Sequence, residues 1–463
     1  MSTTADAAAF LGLGCRVVRP GDDQYDTARS SWNRLFSHRP TAIVYVQSTS
    51  QVVAAVTSAR RVGVPLRVRS GGHCLEGWST VDDGLVIDVS DLTSVSIDAV
   101  RMTATVGAGL TQAAVVAALA AEGLAVPTGT EGSVGLVGAT LGGGLGLLTR
   151  AYGMACDNLL AAEIVVASAD GAAEAIYVDA DHHADLLWAL RGAGNGSFGV
   201  VTSLTYAVHP LSRVSTLTAT WSGLDLVSEL LTAWQGTAPF ADERLTSQLE
   251  LSRNSMTLFA VLAPGGDPAE IERLLHPLLS IGHPDVLTID ASWADAYDGL
   301  QIPLDDEPAN WKFSSQFVAA PFPVEAIEIV RSLLAEAPTD GCNYFTNAFG
   351  GAVARSEPAG GSAFAHRDAL FYAEPGAGWG VRGGVPAADD PLTPDCLRWV
   401  DDFTAALTPF GNGAYSNVPN AEAVDWQRDY WGAGAERLRE VKALYDPSDV
   451  FCFPQSVPLD SGA

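Results

Sequence analysis

The segment Pro65-Leu66-Arg67-Val68-Arg69-Ser70-Gly71-Gly72-His73 decides how the rest of the chain is read. It opens as a strand signal and closes as a glycine turn. Paired glycines tolerate positive φ and expose successive backbone N–H groups, so the turn can cradle an anion with His73 beside it. On this segment alone, a tight turn carrying an ordinary surface histidine competes evenly with that reading. A second glycine-rich tract runs from Pro127-Thr128-Gly129-Thr130 through Gly135, Gly138 and Gly142-Gly143-Gly144 to Gly146. Such density suits a backbone that a phosphate-bearing ligand approaches closely. No Gly-Lys-Ser/Thr follows, so the tract is not a P-loop. The one formal G-x-G-x-x-G, Gly194 to Gly199, leads into a strand signal (Val200 to Tyr206) where a dinucleotide fold needs a helix, and a Rossmann reading is rejected.

Around these motifs, residues 1–205 alternate β-branched runs with helical segments. Thr41 to Val46, Pro65 to Arg69, Leu85 to Val89, Thr103 to Val106 and Glu163 to Ser168 read as strands. Ser50 to Arg61, Leu110 to Glu122 and Asp185 to Arg191 read as helices, the first capped by Ser50. The pattern indicates an α/β or α+β domain. Residues 206–410 read as a second domain, a sheet covered on one side by helices such as Pro268 to Ile281 and Pro323 to Ala335, with a proline- and glycine-rich stretch at 375–393. Residues 411–463 return to short motifs and end in a helix, Tyr430 to Leu444.

Composition bounds the function. The 463 residues permit two or three domains, and 48% hydrophobic against 17% charged residues supports buried cores. A net charge of −28 argues against nucleic acid or an anionic membrane surface as partner. Lysine occurs only at 312 and 442. No charged segment precedes the short apolar patch around Phe10, and the most apolar stretch, Ala113 to Val126, is broken by Glu122 and Gly123, so a soluble cytoplasmic protein is expected. Six dispersed cysteines without a C-x-x-C pair read as reduced thiols, and no metal site is expected. His182, His183 and His366 lack metal-like partners and read as structural.

Taken together, the motifs resemble the flavoprotein family of berberine bridge enzyme and the carbohydrate oxidases, within the vanillyl-alcohol-oxidase superfamily. The resemblance is carried by Arg69 to His73, Gly135 to Gly146, Tyr152-Gly153 through Cys156-Asp157-Asn158, and Phe198-Gly199-Val200-Val201-Thr202. It continues through Asn417, Arg437-Leu438 to Val441-Lys442, Asp446-Pro447, Phe451 and Gln455-Ser456, so nearly the whole chain follows the family's motif order. The resemblance implies an α+β, two-domain PCMH-type FAD-binding fold. Residues 1–205 and the tail 411–463 would form the flavin domain, and 206–410 an antiparallel-sheet-plus-helices substrate domain. FAD would lie with its pyrophosphate on the glycine loops, touching Arg69, Ser70, Gly71, Gly72, Gly129, Thr130, Gly135, Gly138, Gly142, Gly143, Gly144, Gly146, Asp157, Asn158, Gly199, Val200, Val201 and Asn417. His73 matches the histidine joined covalently to the flavin 8α-methyl.

Two departures from the family pattern matter. Many relatives carry a second flavin bond from a Gly-Thr-Cys cysteine, but here the motif is Gly129-Thr130-Glu131, so no cysteinyl link is expected. Relatives often end the substrate site with Tyr-x-Asn-Tyr, whereas here it is Tyr415-Ser416-Asn417-Val418. Cys74 and Cys156 are not at the linking position and read as structural thiols. For proton abstraction there remain Tyr372 and Glu374, which share one face of a strand, assisted by Tyr415, with Glu131 of ambiguous role. A strand pair without a catalytic role is the competing reading. The resemblance implies an FAD-dependent oxidase taking a hydride from an alcohol, amine or activated C–H of a small natural-product-like or sugar substrate and passing electrons to O2. A flavin-bound cyclase or dehydrogenase with little oxygen reactivity, and a catalytically silent flavin-binding protein, are the alternatives.

Overall fold

The run Ala42-Ile43-Val44-Tyr45 is buried along its whole length, as a strand is only when covered on both faces. In the computed structural model, which describes residues 10–459 except 170, 266 and 356, it sits inside a four-stranded sheet. Leu85–Asp88 and then Leu66–Arg69 pair parallel on one side, and Arg16–Val18 pairs antiparallel on the other. Residues 1–9, over which no targeting signal was expected, lie outside the described residues. The helix Thr49–Val62 begins at Ser48, whose side chain accepts from the Gln51 N–H, and stops at Gly63 with φ 75°. The expected cap, Ser50, is already inside the helix. Ser48 has the extended backbone (φ −156°, ψ 156°) that an N-cap requires.

A second sheet of Val95–Asp98, Thr103–Gly107, Val200–Ala207, Leu159–Ala167 and Ala173–Val178 is antiparallel throughout, which makes this half α+β. Its core joins Val44, Ile87, Ile164 and Leu204 with Leu438, Val441, Phe451 and Val457 from the end of the chain. The tail is anchored by Lys442, which is fully buried and donates to Asp446, to the Phe451 carbonyl and to the Ser197 carbonyl (2.7, 2.8 and 2.8 Å). The expected terminal helix is two, Trp426–Trp431 and Ala435–Tyr445, because Gly432 adopts φ 49° between them.

The other half is an eight-stranded antiparallel sheet in the order Asp285–Ser292, Arg213–Ser222, Ser255–Leu262, Leu245–Ser252, Asn343–Ala348, Phe371–Trp379 and Asn310–Phe313, with Gln316–Val318 also on Phe371–Trp379. Alternation decides its faces. Leu245, Leu249, Leu251, Tyr344, Phe371 and Ala373 pack into a core with Leu230, Ile271, Val330 and Phe403 of four covering helices. Glu250, Phe345 and Glu374 fall in register on the opposite face, as do Gln248, Asn347 and Tyr372. The stretch from 375 is not all loop: Pro375 to Trp379 continue the strand that carries Glu374.

Arg150, almost fully buried, joins the two halves by donating to the carbonyls of Leu245, Pro239 and Phe349. Lys312 likewise reaches from the large sheet to buried Glu76. Among the described residues, no helix is long and apolar enough to cross a membrane.

Candidate active site

The two glycine tracts form one structural unit. A Cβ on Gly71 would lie 2.4 Å from the Gly135 nitrogen, and one on Gly135 would lie 2.6 Å from Ser70 Oγ, so the loops touch backbone to backbone. The loop after Thr128 is held from both halves. Gln112, almost fully buried, accepts from the Gly129 N–H (2.5 Å) and donates to the Glu131 carbonyl (2.7 Å). From the second half, Tyr297 donates to the Gly129 carbonyl (2.9 Å), while Gln301 accepts from the Gly132 N–H (2.6 Å) and donates to the Thr130 carbonyl (3.1 Å).

These loops line a cavity of about 550 Å³, within the range of small-molecule and cofactor sites. Ser70, Gly71, His73, Glu131, Gly135 and Gly138 line it from the first half of the chain, and Asn343, Phe345, Tyr372 and Glu374 from the large sheet. A Cβ at Gly138 would meet no atom within 4 Å, so the backbone there borders open space. Arg67 Nε, Ser79 Oγ and Asn195 Oδ1 belong to lining residues, are buried and have no protein partner, and Arg67 brings a guanidinium suited to an anion.

At the His73 end, the imidazole stacks on Trp32 (5.1 Å between centroids), and Trp32, Trp311 and Phe313 continue the stack at 6.2 and 5.1 Å. Burial pushes the His73 imidazole down to about 4; the Glu131 charge opposes this and Arg382 adds to it. Ser133 Oγ lies 3.0 Å from His73 Nε2 and donates to Glu131 Oε1 at 2.7 Å. At the sheet end, buried Tyr372 donates to Glu374. Burial raises the Glu374 carboxyl to about 7; the Tyr372 hydrogen bond opposes that rise and the Glu250 charge adds to it. Burial also raises the Tyr372 phenol well above its ordinary value, as does the neighbouring Glu374 charge.

Residues 40–174 match the family model described as FAD binding domain, and residues 414–458 match the one described as berberine and berberine like. The uncharacterized FAD-linked oxidoreductase YgaK of Bacillus subtilis is 36% identical over 445 residues, covering 96% of each chain. The chain belongs to the berberine-bridge-enzyme-like FAD-linked oxidoreductases. Within that family, the (R)-6-hydroxynicotine oxidase of Paenarthrobacter nicotinovorans is 37% identical over 206 residues, 44% of each chain. The solved structure of BBE-like 1 from Physcomitrella patens matches the fold with a TM-score of 0.88 over 100% of both chains at 24% identity.

Against the berberine-bridge-enzyme-like expectation, the glycine tracts sort into two kinds. Ser70, Gly71, Gly129, Thr130, Gly135, Gly138, Gly144, Gly199, Val201 and Asn417 line the cavity. Gly142, Gly143 and Gly146 do not, and their small size serves the protein itself. Their Cβ atoms would meet Asn417 Oδ1 at 2.1 Å, Met154 Cε at 3.0 Å and the Thr128 carbonyl at 2.0 Å, and Gly143 has φ 135°. Gly72 shapes the turn, with φ 72° and its carbonyl accepting from Trp32. Arg69 makes a buried pair with Asp88 through Nε (2.6 Å), and its Nη1 is buried without a protein partner. Asp157 accepts from the Met154 N–H (2.9 Å) and pairs with Arg367 (2.5 Å). Asn158 holds the Tyr152 and Met154 carbonyls and His209, and Val200 is a buried ladder residue opposite Val165. These residues support the cradle from behind.

Tyr415 also departs from expectation. Its ring lines the cavity, but its hydroxyl accepts from the Gly144 N–H (2.8 Å) and from Asn417 Nδ2 (2.9 Å), which ties it to the glycine loop. Burial raises its phenol further. Glu131 stands beside His73 through Ser133, not beside Tyr372 and Glu374. Cys156 is buried behind the cavity, whereas Cys74 lines it with a thiol that burial pushes up. His366 stacks on Phe317 (4.3 Å), and His183 meets Tyr445.

The sequence reading missed Ser133, Gln112, Trp32 and Glu250. Ser133 sits inside the glycine tract, two residues after Glu131, and could have been flagged as a hydroxyl within reach of that carboxylate. The other three come from distant segments, and nothing local marks them.

Proposed function

We propose that this chain is an oxidase that removes a hydride from an alcohol, amine or activated C–H of a small organic substrate and passes the electrons to dioxygen, with FAD joined covalently to His73 and no cysteinyl link. The observation that carries this reading is the placement of the Tyr372–Glu374 pair and His73 around one cavity. When bound, FAD supplies the two-electron acceptor and the route to dioxygen. Arg67, Ser79, Asn195 and the backbone around Gly71, Gly135 and Gly138 would hold it.

Glu374 takes the proton from the substrate's hydroxyl or amine. With its carboxyl near 7 it is both substantially ionised and basic enough to accept one at neutral pH. Tyr372 orients the carboxylate through its O–H. Tyr415, whose hydroxyl is engaged at Gly144, and Glu131, engaged at Ser133, are less suited to that step. The aromatic wall of Trp32, Trp311 and Phe313 supports a partly apolar substrate. The acidic chain supports a small molecule as partner, not nucleic acid or a membrane surface.

The test is an absorption spectrum before and after acid precipitation, for wild type and His73→Ala. Colour that stays with wild-type protein and leaves the variant supports the reading; a cysteinyl flavin in a peptide map contradicts it. Anaerobic bleaching by an alcohol or amine, followed by peroxide formation on admitting air, completes the test. Bleaching without peroxide would replace the oxidase reading by a dehydrogenase or cyclase.

A further inference from the structure

We infer that Glu131 and Ser133 form a relay that fixes the tautomer of His73 and prepares its Nδ1 for attachment to the flavin, which makes Glu131 a positioning residue. The inference rests on the covalent reading of His73 above. An ionised Glu131 can only accept, so the 2.7 Å contact with Ser133 Oγ requires the serine O–H to donate to it. The Ser133 oxygen, 3.0 Å from His73 Nε2, must then receive the proton carried by that nitrogen. His73 is thereby held as the Nε2–H tautomer, with the lone pair on Nδ1. Among the described residues, Nδ1 has no hydrogen-bond partner.

The carboxylate is itself held firmly. Glu131 Oε1 also accepts from the Ser133 N–H (3.1 Å), and the loop carrying it is fastened by Gln112 and Gln301. The other charged group acting on His73 is Arg382. It faces Glu307 at 3.6 Å, and Glu307 also accepts from Trp32. Glu131 is the carboxylate left for the imidazole.

Attachment forms a bond between Nδ1 and the flavin methyl carbon and breaks one C–H bond there. The methyl gives up one proton, and the imidazole gives up the other from Nε2 through Ser133 toward Glu131. The two electrons pass by way of the flavin to dioxygen, which with the two protons becomes hydrogen peroxide. The residue that occupies the place of the family's second linking cysteine thus serves the single remaining link.

The test compares full-length wild type, Ser133→Ala, Ser133→Thr and Glu131→Gln, each produced under riboflavin limitation, incubated with FAD in air and sampled by acid precipitation. Reversible loading is read separately from absorbance before precipitation. Ser133→Ala and Glu131→Gln are expected to bind FAD reversibly but attach it about 10²-fold more slowly, at the low end for loss of a general base. Ser133→Thr should attach it at the wild-type rate. Glu131→Gln is the sharper probe, because its amide oxygen can still accept from the Ser133 N–H and O–H and keep the tautomer, while the negative charge that draws the Nε2 proton is gone. Wild-type attachment rates in Ser133→Ala and Glu131→Gln overturn the relay, and failure of either to load FAD reversibly assigns the residues to the loop's fold instead. Release of flavin from wild type in acid defeats the covalent reading itself, which is a distinguishable result.

Discussion

Glu374→Gln should make the protein more stable at alkaline pH while slowing its chemistry. Burial raises the Glu374 carboxyl from 4.5 to about 7, so between those values the folded protein binds more protons than the unfolded chain. Stability therefore falls as pH rises through that window and stays lower above it. At about 1.4 kcal/mol per pH unit, the displacement is worth roughly 3–4 kcal/mol above pH 8 and almost nothing below pH 4. Glutamine keeps the shape and a hydrogen-bond acceptor for Tyr372 but never ionises. The assay is urea denaturation of both proteins at pH 5 and pH 8.5, read as the difference in midpoint. The variant should gain on wild type at pH 8.5 and by much less at pH 5, and its flavin reduction by substrate should slow by about 10²–10⁴-fold. Wild-type reduction should in turn rise with pH to a plateau above about 7 as the carboxylate forms. An equal stability difference at both pH values would show that the carboxyl is not held above its ordinary range, and the argument for it as base would go with it.

Gly138→Val and Gly143→Val should separate cradle from scaffold. The first adds a side chain whose Cβ meets no atom within 4 Å beyond its own helix and should give folded protein with little bound flavin, whereas the second forces φ 135° on valine and should lower the melting temperature. Full flavin loading of Gly138→Val, measured by the ratio of visible to ultraviolet absorbance, contradicts the assignment. Tyr415→Phe removes the acceptor of the buried Gly144 N–H and should cost about 1–3 kcal/mol in denaturation with flavin reduction little changed. A loss of reduction rate matching that of Glu374→Gln would return Tyr415 to the proton-transfer step.

What the sequence determined by itself was whatever is encoded in consecutive residues. The strand before Arg69, the turn through Gly71 and Gly72 and the period-two placement of Tyr372 and Glu374 follow from local φ, ψ preferences and side-chain alternation, and motif order along the chain was enough to indicate the family. Local spacing could not rank identical letters. Gly138 borders open space and Gly142 packs against Asn417, a difference made by a residue far along the chain. The register of three strands brings Glu250 into line with Glu374, and the meeting of two loops brings Ser133 to His73. Hydrogen-bond partners and burial set the roles and proton affinities of these groups, and both arise only when distant segments pack together. Tertiary structure alone therefore decided that Tyr415 closes on the glycine loop while Glu374 and Glu131 line one cavity in separate hydrogen-bonded pairs, with Tyr372 and with Ser133.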